Sequence, residues 1–349
     1  MVDWSNLPLD IVAHIIGRLG WLDQIRMRGV CKAWSVSMID KFKFPLAIRI
    51  QYFFRTYQLI YPPLQEQKVV EFDLPKEFPN FCDATVHASS YGWLLFGAKF
   101  RNFFLYSPFT NEVINLPDFD LVKELDVATF SLDATSPKCV IFGLRIKGKT
   151  ISIYICSPGD VAWKTYEFSF DLDTDVEHAA YAGGIFYCVF SGGELGAFNL
   201  QLKEWNMLTL EGPADFDFED LAWDFDFEDS KLIASDGELR LIGKDYSDLN
   251  LFKFDFSEKC WIREISLNNR VLFIGCTSFS CPAVGQISQL ANHVLSCCEF
   301  HPNVRRYGIG NKSYSRQYQN WTRAASYLHI WIEILSRAIW SANDLMTAR

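Results

Sequence analysis

No stretch of this sequence runs to eighteen consecutive apolar residues, so no segment has the length of apolar helix that crosses a bilayer. Basic charge is also scarce: 33 Lys and Arg stand against 42 Asp and Glu, a formal net charge of −9. The imbalance is uneven. Residues 1–45 carry a net +2, residues 300–349 a net +5, and the span between them a net −16. A central region this acidic argues against nucleic acid or an anionic membrane as its partner. The opening MVDWSNLPLD has neither a basic stretch followed by an apolar one nor an Arg- and Ser-rich amphipathic character. Neither a secretory leader nor a transit peptide is expected, and the nucleus or cytoplasm is the expected compartment. The 10 cysteines form no disulfide framework; Cys156 in ISIYICS and Cys188 in IFYCVF sit within apolar runs, as reduced core thiols do.

Catalytic signatures are missing as well. There is no G-x-S-x-G elbow, no HExxH and no kinase set. Gly308-x-Gly-x-Lys-Ser313 lacks the spacing that lets a Walker loop cradle phosphate, and reads as a hairpin turn. Cys276, Cys281, His293, Cys297, Cys298 and His301 would supply soft ligands for zinc. Their spacing matches no common finger, and adjacent cysteines on a strand point to opposite faces. No metal or other cofactor is expected, and nothing nominates an enzyme.

What is present is a folded composition, 49% hydrophobic and 21% charged. Aromatics reach 16%, which suits the pleated faces of β-structure. The first forty residues differ from the rest. Ile11, Val12, Ile15, Ile16 and Leu19 fall on one helical stripe, with Pro8 suited to the first helical position and Asp10 in the first turn. Ile25 and Met27 mark a second short helix, and Val30, Cys31, Trp34 and Met38 a third stripe. Three helices this short cannot bury so many apolar side chains alone, so part of that surface must meet something else.

Leu7-Pro8, the Ile15/Leu19 ladder and Val30-Cys31-Lys32-x-Trp34 resemble an F-box, over residues 3–42. The resemblance implies a three-helix module that docks on the Skp-type adaptor of a cullin-RING ubiquitin ligase. It assigns Leu7, Pro8, Ile11, Ile15, Ile25, Val30, Cys31 and Trp34 to adaptor contacts, or to holding the helices that make them. Without the family, the same stripes would be a small helical cap on the next domain.

From about residue 46 the periodicity changes to short apolar runs bounded by Gly, Pro, Ser and Asn, such as GWLLF, KCVIFGLRIKG and TISIYICS. A unit recurs in which a strand, a Phe-Asn or Phe-Asp pair, a turn and a Trp follow in order. Its tryptophans are Trp163, Trp205 and Trp261, spaced 42 and 56 residues apart. Propeller blades run about 40–50 residues each, so the tract holds roughly six or seven of them, one with an insertion. A sandwich is the other way to use short, evenly spaced strands. Residues 89–96 (SSYGWLLF), 107–117 (SPFTNEVINLP) and 270–275 (RVLFIG) are similar to the KIB-type β-propeller domain of plant F-box proteins. The fold class expected is therefore mainly β with a small α module: an N-terminal three-helix F-box, then a β-propeller over 50–335. Residues 296–349 admit two readings. His329-Ile-Trp-Ile332 resembles a closing strand, while Trp321, Ala324, Ala325, Leu328, Ile332 and Leu335 fall at helical spacing.

The stretch EGPADFDFEDLAWDFDFEDS (211–230) holds nine carboxylates and no Lys or Arg. Asp215, Asp217, Glu219, Asp220, Asp224 and Asp226 form either a solvated strand face or a docking patch for a basic partner; the spacing excludes an EF-hand. The resemblance implies a non-catalytic substrate-recognition subunit of a Skp-cullin-F-box ubiquitin ligase, the propeller presenting an unknown protein substrate. The alternative is a propeller-based enzyme or ligand receptor capped by the N-terminal helices.

Overall fold

The computed structural model describes residues 7–16, 45–51, 55–60, 69–76, 78, 84–98, 103–108, 110–119, 124–213, 230–235, 237–244, 249–275, 278–283, 285–298, 301–308 and 327–333. Among the described residues, one helix, α1 (Leu9–Ile16), precedes a β-rich body. The body is six four-stranded sheets. Blade 1 holds β1 (Pro45–Gln51), β2 (Thr56–Ile60) and β3 (Val69–Asp73), and blade 2 holds β4 (Ala84–Ser90), β5 (Trp93–Ala98), β6 (Phe104–Ser107) and β7 (Glu112–Asn115). Blade 3 follows with β8 (Val127–Phe130), β9 (Ile141–Lys147), β10 (Thr150–Cys156) and β11 (Lys164–Ser169). Blade 4 is β12 (Val176–Ala182), β13 (Ile185–Phe190), β14 (Leu195–Asn199) and β15 (Glu204–Thr209). Blade 5 is β16 (Lys231–Ser235), β17 (Glu238–Lys244), β18 (Leu249–Asp255) and β19 (Cys260–Arg263). Blade 6 contains β20 (Arg270–Ile274), β21 (Phe279–Pro282), β22 (His293–Cys298) and β23 (His301–Gly308).

The last strand, β24 (Tyr327–Glu333), returns to blade 1 and pairs antiparallel with β1, from Pro45↔Glu333 to Gln51↔Tyr327. Residues 327–333 are thus a closing strand and not part of a helix. Ile330 and Ile332, two apart, are both fully buried, which is the period of a strand. Innermost strands touch in turn, β24 to β4, β4 to β8, β8 to β12, β12 to β16 and β16 to β21, with β22 reaching β24. The ring is a β-propeller closed by pairing the chain's last described strand with its first.

Blades 3, 4 and 5 are covered on both faces, which is why strands such as IFYCVF read as unbroken apolar runs. Successive clusters fill the gaps between blades: Leu105 with Ile141, Phe142 with Phe186, Leu195 with Leu241, and Ile233 with Leu272. In β10, Ile153 and Ile155 face blade 4 while Tyr154 and Cys156 face blade 2. Tight turns hold the hairpins: Ala182 pairs with Ile185 across Gly183-Gly184, whose φ values of 58° and 90° suit a type I′ turn.

Blade 6 departs from the meander. Its order is β21-β20-β22-β23, and β20 runs parallel to β22. The chain enters at the second position, turns back into the innermost one, and crosses to the third through a 3-10 segment, Gly285–Leu290. A parallel pair needs such a crossover, because a two-residue turn joins only antiparallel strands.

The three repeat tryptophans occupy equivalent places, at or just before the outermost strand of blades 3, 4 and 5. Each lies in the cluster shared with the preceding blade, Trp163 against blade 2, Trp205 against blade 3 and Trp261 against blade 4. Trp205 and Trp261 pair directly with Phe198 and Phe254, the Phe of the recurring unit.

Candidate functional site

Two features of the described residues carry functional potential. The first is α1. Pro8 supplies the carbonyl that accepts the helix's first bond, from the Val12 N–H at 3.1 Å. Val12 is fully buried, whereas Ile11 and Ile15, one turn apart, are 45% and 38% exposed. Pro8 is exposed and Leu7 half-buried. The apolar stripe is therefore split, one side turned inward and one left open to a partner. Ile25, Val30, Cys31 and Trp34 lie outside the described residues. So do Asp215, Asp217, Glu219, Asp220, Asp224 and Asp226.

The second feature is the propeller axis. A cavity of about 250 Å³ lies where β4, β8, β12 and β16 end and β21 begins. A smaller one of about 160 Å³ lies where β4, β8, β12 and β16 start. The innermost strand of blade 6 thus runs opposite to the other four, as its inverted order demands. His87 and His178 line both cavities and mark the waist between them.

Both histidines sit at β-bulges. In β4 the register passes from Val86↔Phe96 to Ala88↔Leu95, leaving His87 as the extra residue. In β12 it passes from Val176↔Phe190 to His178↔Val189, so Glu177 is extra and His178 follows it. A bulge re-aims the side chain beside it, and such kinks concentrate next to functional sites. His87 Nε2 lies 3.3 Å from Thr85 Oγ1, and its ring meets Phe103 at 5.4 Å. His178 Nδ1 accepts the Leu232 N–H of blade 5 at 3.3 Å, which leaves the proton of the neutral ring on Nε2.

Burial pushes the His87 imidazole down to about 4. Burial, helped by the charge of Lys231, pushes His178 down to about 3. Both rings are neutral at pH 7. Among the described lining residues, charge enters only at the smaller cavity, through Asp126, Glu177 and Lys231. Burial raises the Asp126 carboxyl, against the opposing pull of the Ile146 N–H, which it accepts at 2.7 Å.

Of the cysteine and histidine set near the end of the chain, the side chains of Cys276, Cys297, Cys298 and His301 lie outside the described residues. Cys281 is buried within β21, and His293 Nδ1 is bound at 2.8 Å to the carbonyl oxygen of Ala291 in its own turn.

Neither channel histidine belongs to a motif the sequence displays on its own. A weaker signal is there: His87-Ala-Ser-Ser-Tyr-Gly92 and His178-Ala-Ala-Tyr-Ala-Gly183 repeat a histidine, an alanine and small residues ahead of a turn glycine.

A six-bladed ring with a short amphipathic helix ahead of it defines a β-propeller protein. Residues 59–314 match the model of the KIB1-4 beta-propeller family, and residues 4–38 match that of the F-box domain. The chain belongs to the KIB1-4 beta-propeller family and carries an F-box. The F-box/kelch-repeat protein At1g57790 of Arabidopsis thaliana is 27% identical over 345 residues, covering 95% of this chain and 94% of that protein. The F-box protein At3g56470 of the same plant is 28% identical over 216 residues, 60% of this chain and 57% of its own. Among solved structures, the β-propeller domain of Cps50 (Swd1) from Myceliophteria thermophila aligns with a TM-score of 0.44 and 9% identity, over 81% of this chain and 89% of that one.

Proposed function

We propose that this protein is a substrate-recognition subunit of a Skp-cullin-F-box ubiquitin ligase. The F-box would dock on the Skp-type adaptor while the propeller presents a protein substrate. The observation that carries this is the joining of the two modules in one chain, an F-box match over 4–38 and a propeller match over 59–314. The exposed pair Ile11 and Ile15 supports it, since an open apolar strip on a helix is what a partner helix bundle covers. In this reading the chain performs no covalent step. It holds substrate and conjugating enzyme in one assembly, and the rate gain is one of proximity.

The test is co-purification of the full chain with a Skp-type adaptor. Substituting Ile11 and Ile15 together by Asp, or Leu7 and Pro8 together by Ala, should abolish the complex while the β-rich circular dichroism stays unchanged. Adaptor binding that survives both double variants would exclude the assignment.

A further inference from the structure

Buried side-chain oxygens and nitrogens nearly always find a partner, because an unmade hydrogen bond in the interior carries the full cost of desolvation. Four side-chain atoms among the described residues break this rule: Ser89 Oγ, Trp205 Nε1, Ser230 Oγ and Ser278 Oγ. Ser89, on β4, and Ser278, just ahead of β21, both line the larger axial cavity. Two residues of one cavity wall thus carry hydroxyls that the fold itself leaves unbonded.

We propose that the larger axial cavity binds one small, uncharged polyhydroxyl molecule, about the size of a single sugar ring. Among the described residues its wall contains no Asp, Glu, Lys or Arg. Hydroxyls dominate its polar surface, with Ser90, Tyr91, Thr129 and Tyr181 among them. A hydroxyl both donates and accepts, so such a wall matches a ligand whose own groups do both. The volume, about 250 Å³, equals roughly eight waters at about 30 Å³ each, and lies just under the ~300–1,000 Å³ of sites for drug-sized ligands.

The wall is also held in place. Arg270 Nε donates to Ser280 Oγ at 2.7 Å and its Nη2 to Ser235 Oγ at 3.1 Å, tying the innermost strands of blades 6 and 5 together. A hydroxyl that accepts from a guanidinium becomes a stronger donor of its own proton. At the waist, His87 and His178 are neutral at pH 7 and add no charge. A cation would find its carboxylates, Asp126 and Glu177, only in the smaller cavity. The site is distinct from α1 and does not depend on adaptor binding.

The experiment measures thermal shift and calorimetric binding of the full chain at pH 7.5. The neutral probes are D-glucose, D-xylose and myo-inositol; the charged ones are D-glucuronate and D-glucose 6-phosphate. At least one neutral probe should bind and raise the melting temperature, with its charged relatives at least tenfold weaker. The variant carrying Ser89→Ala and Ser278→Ala should melt at or above the wild-type temperature, because it deletes two unpaired polar groups. It should nevertheless bind the neutral probe roughly tenfold more weakly. The proposal is overturned if no neutral probe binds at 10 mM, if a charged probe binds more tightly, or if the double variant binds as the wild type does.

Discussion

Trp261 Nε1 of blade 5 donates to the carbonyl oxygen of Gly193 in blade 4 at 2.8 Å, across 68 positions of sequence. Trp163 does the same one blade pair earlier, donating to the Pro117 carbonyl oxygen of the β7–β8 connection at 2.9 Å. Trp205 stands at the same blade position, yet its Nε1 is buried with no partner. Its ring instead lies across Gly196, where an added Cβ would come within 2.2 Å of Cζ2. One repeated residue thus seals three interfaces, two by a ring plus a hydrogen bond and one by a ring alone.

Replacing each tryptophan by phenylalanine should separate the two modes. Trp261→Phe deletes a hydrogen bond and strands the Gly193 carbonyl, so it should cost about 1 kcal/mol more than Trp205→Phe. Trp205→Ala, which empties the blade 3–4 interface, should cost about 3–5 kcal/mol. Gly196→Ala forces the indole aside and should cost about 1–3 kcal/mol. Urea unfolding of the four variants measures these differences; equal costs for the two phenylalanine variants would contradict the bonding pattern.

Arg240, only 2% exposed, offers a second stability test. Its Nε and Nη2 meet Glu264 Oε2 and Oε1 at 2.7 and 3.2 Å, and Nη2 also meets Glu238. Burial by itself would lower the guanidinium's pKa, but the bonds and charges of the two glutamates outweigh it and raise it. Glu264→Gln leaves Arg240 with Glu238, shared with Lys253, still opposite it. It should therefore destabilise the fold by about 1–3 kcal/mol in chemical denaturation, the range for weakening hydrogen bonds to a charged group, and replacing Arg240 and Glu264 together by Met and Leu should cost less than the single change.

The channel histidines make stability depend on pH. Their folded values, about 4 and about 3, lie below the unfolded value of 6.5. In that window the unfolded chain binds more protons, so stability is complete above about pH 6.5 and falls as the pH drops toward 4. Asp126, raised by burial, works the other way at acid pH. Melting temperatures from pH 8 to 4.5 should decline more steeply for the wild type than for a His87→Gln, His178→Gln variant. Parallel curves would show that the rings are already charged in the folded state.

Thiol reactivity should follow burial. Of Cys139, Cys156, Cys188, Cys260 and Cys281, only Cys260 is exposed. Burial pushes the Cys139 thiol up to about 11, and Cys156 and Cys188 higher still. Iodoacetamide at pH 7.5, followed by peptide mass spectrometry, should label Cys260 within minutes and the other four only after unfolding. Native labelling of Cys139 or Cys156 would contradict the closed blade 2–3 interface.

Much of this architecture is written in local pattern. The apolar stripe of Ile11, Val12 and Ile15 specifies a helix, and the Phe-Asn or Phe-Asp, turn, Trp unit specifies the outer hairpins of blades 4 and 5, because each depends on residues close in sequence. Local period says which face of an element is apolar but not which neighbour will cover it. Only the tertiary structure decided that Val12 turns inward while Ile11 stays open. It also decided that residues 327–333 form a strand despite their helical spacing, since β1 some 280 positions earlier offers the hydrogen bonds that close the ring. The inverted order of blade 6 has the same origin, in a crossover no short-range signal marks. His87 and His178, 91 residues apart, meet at one channel because blades 2 and 4 are each wound to the same axis. Ring closure is a long-range condition, and the side chains that share its centre are chosen by geometry rather than by spacing along the chain.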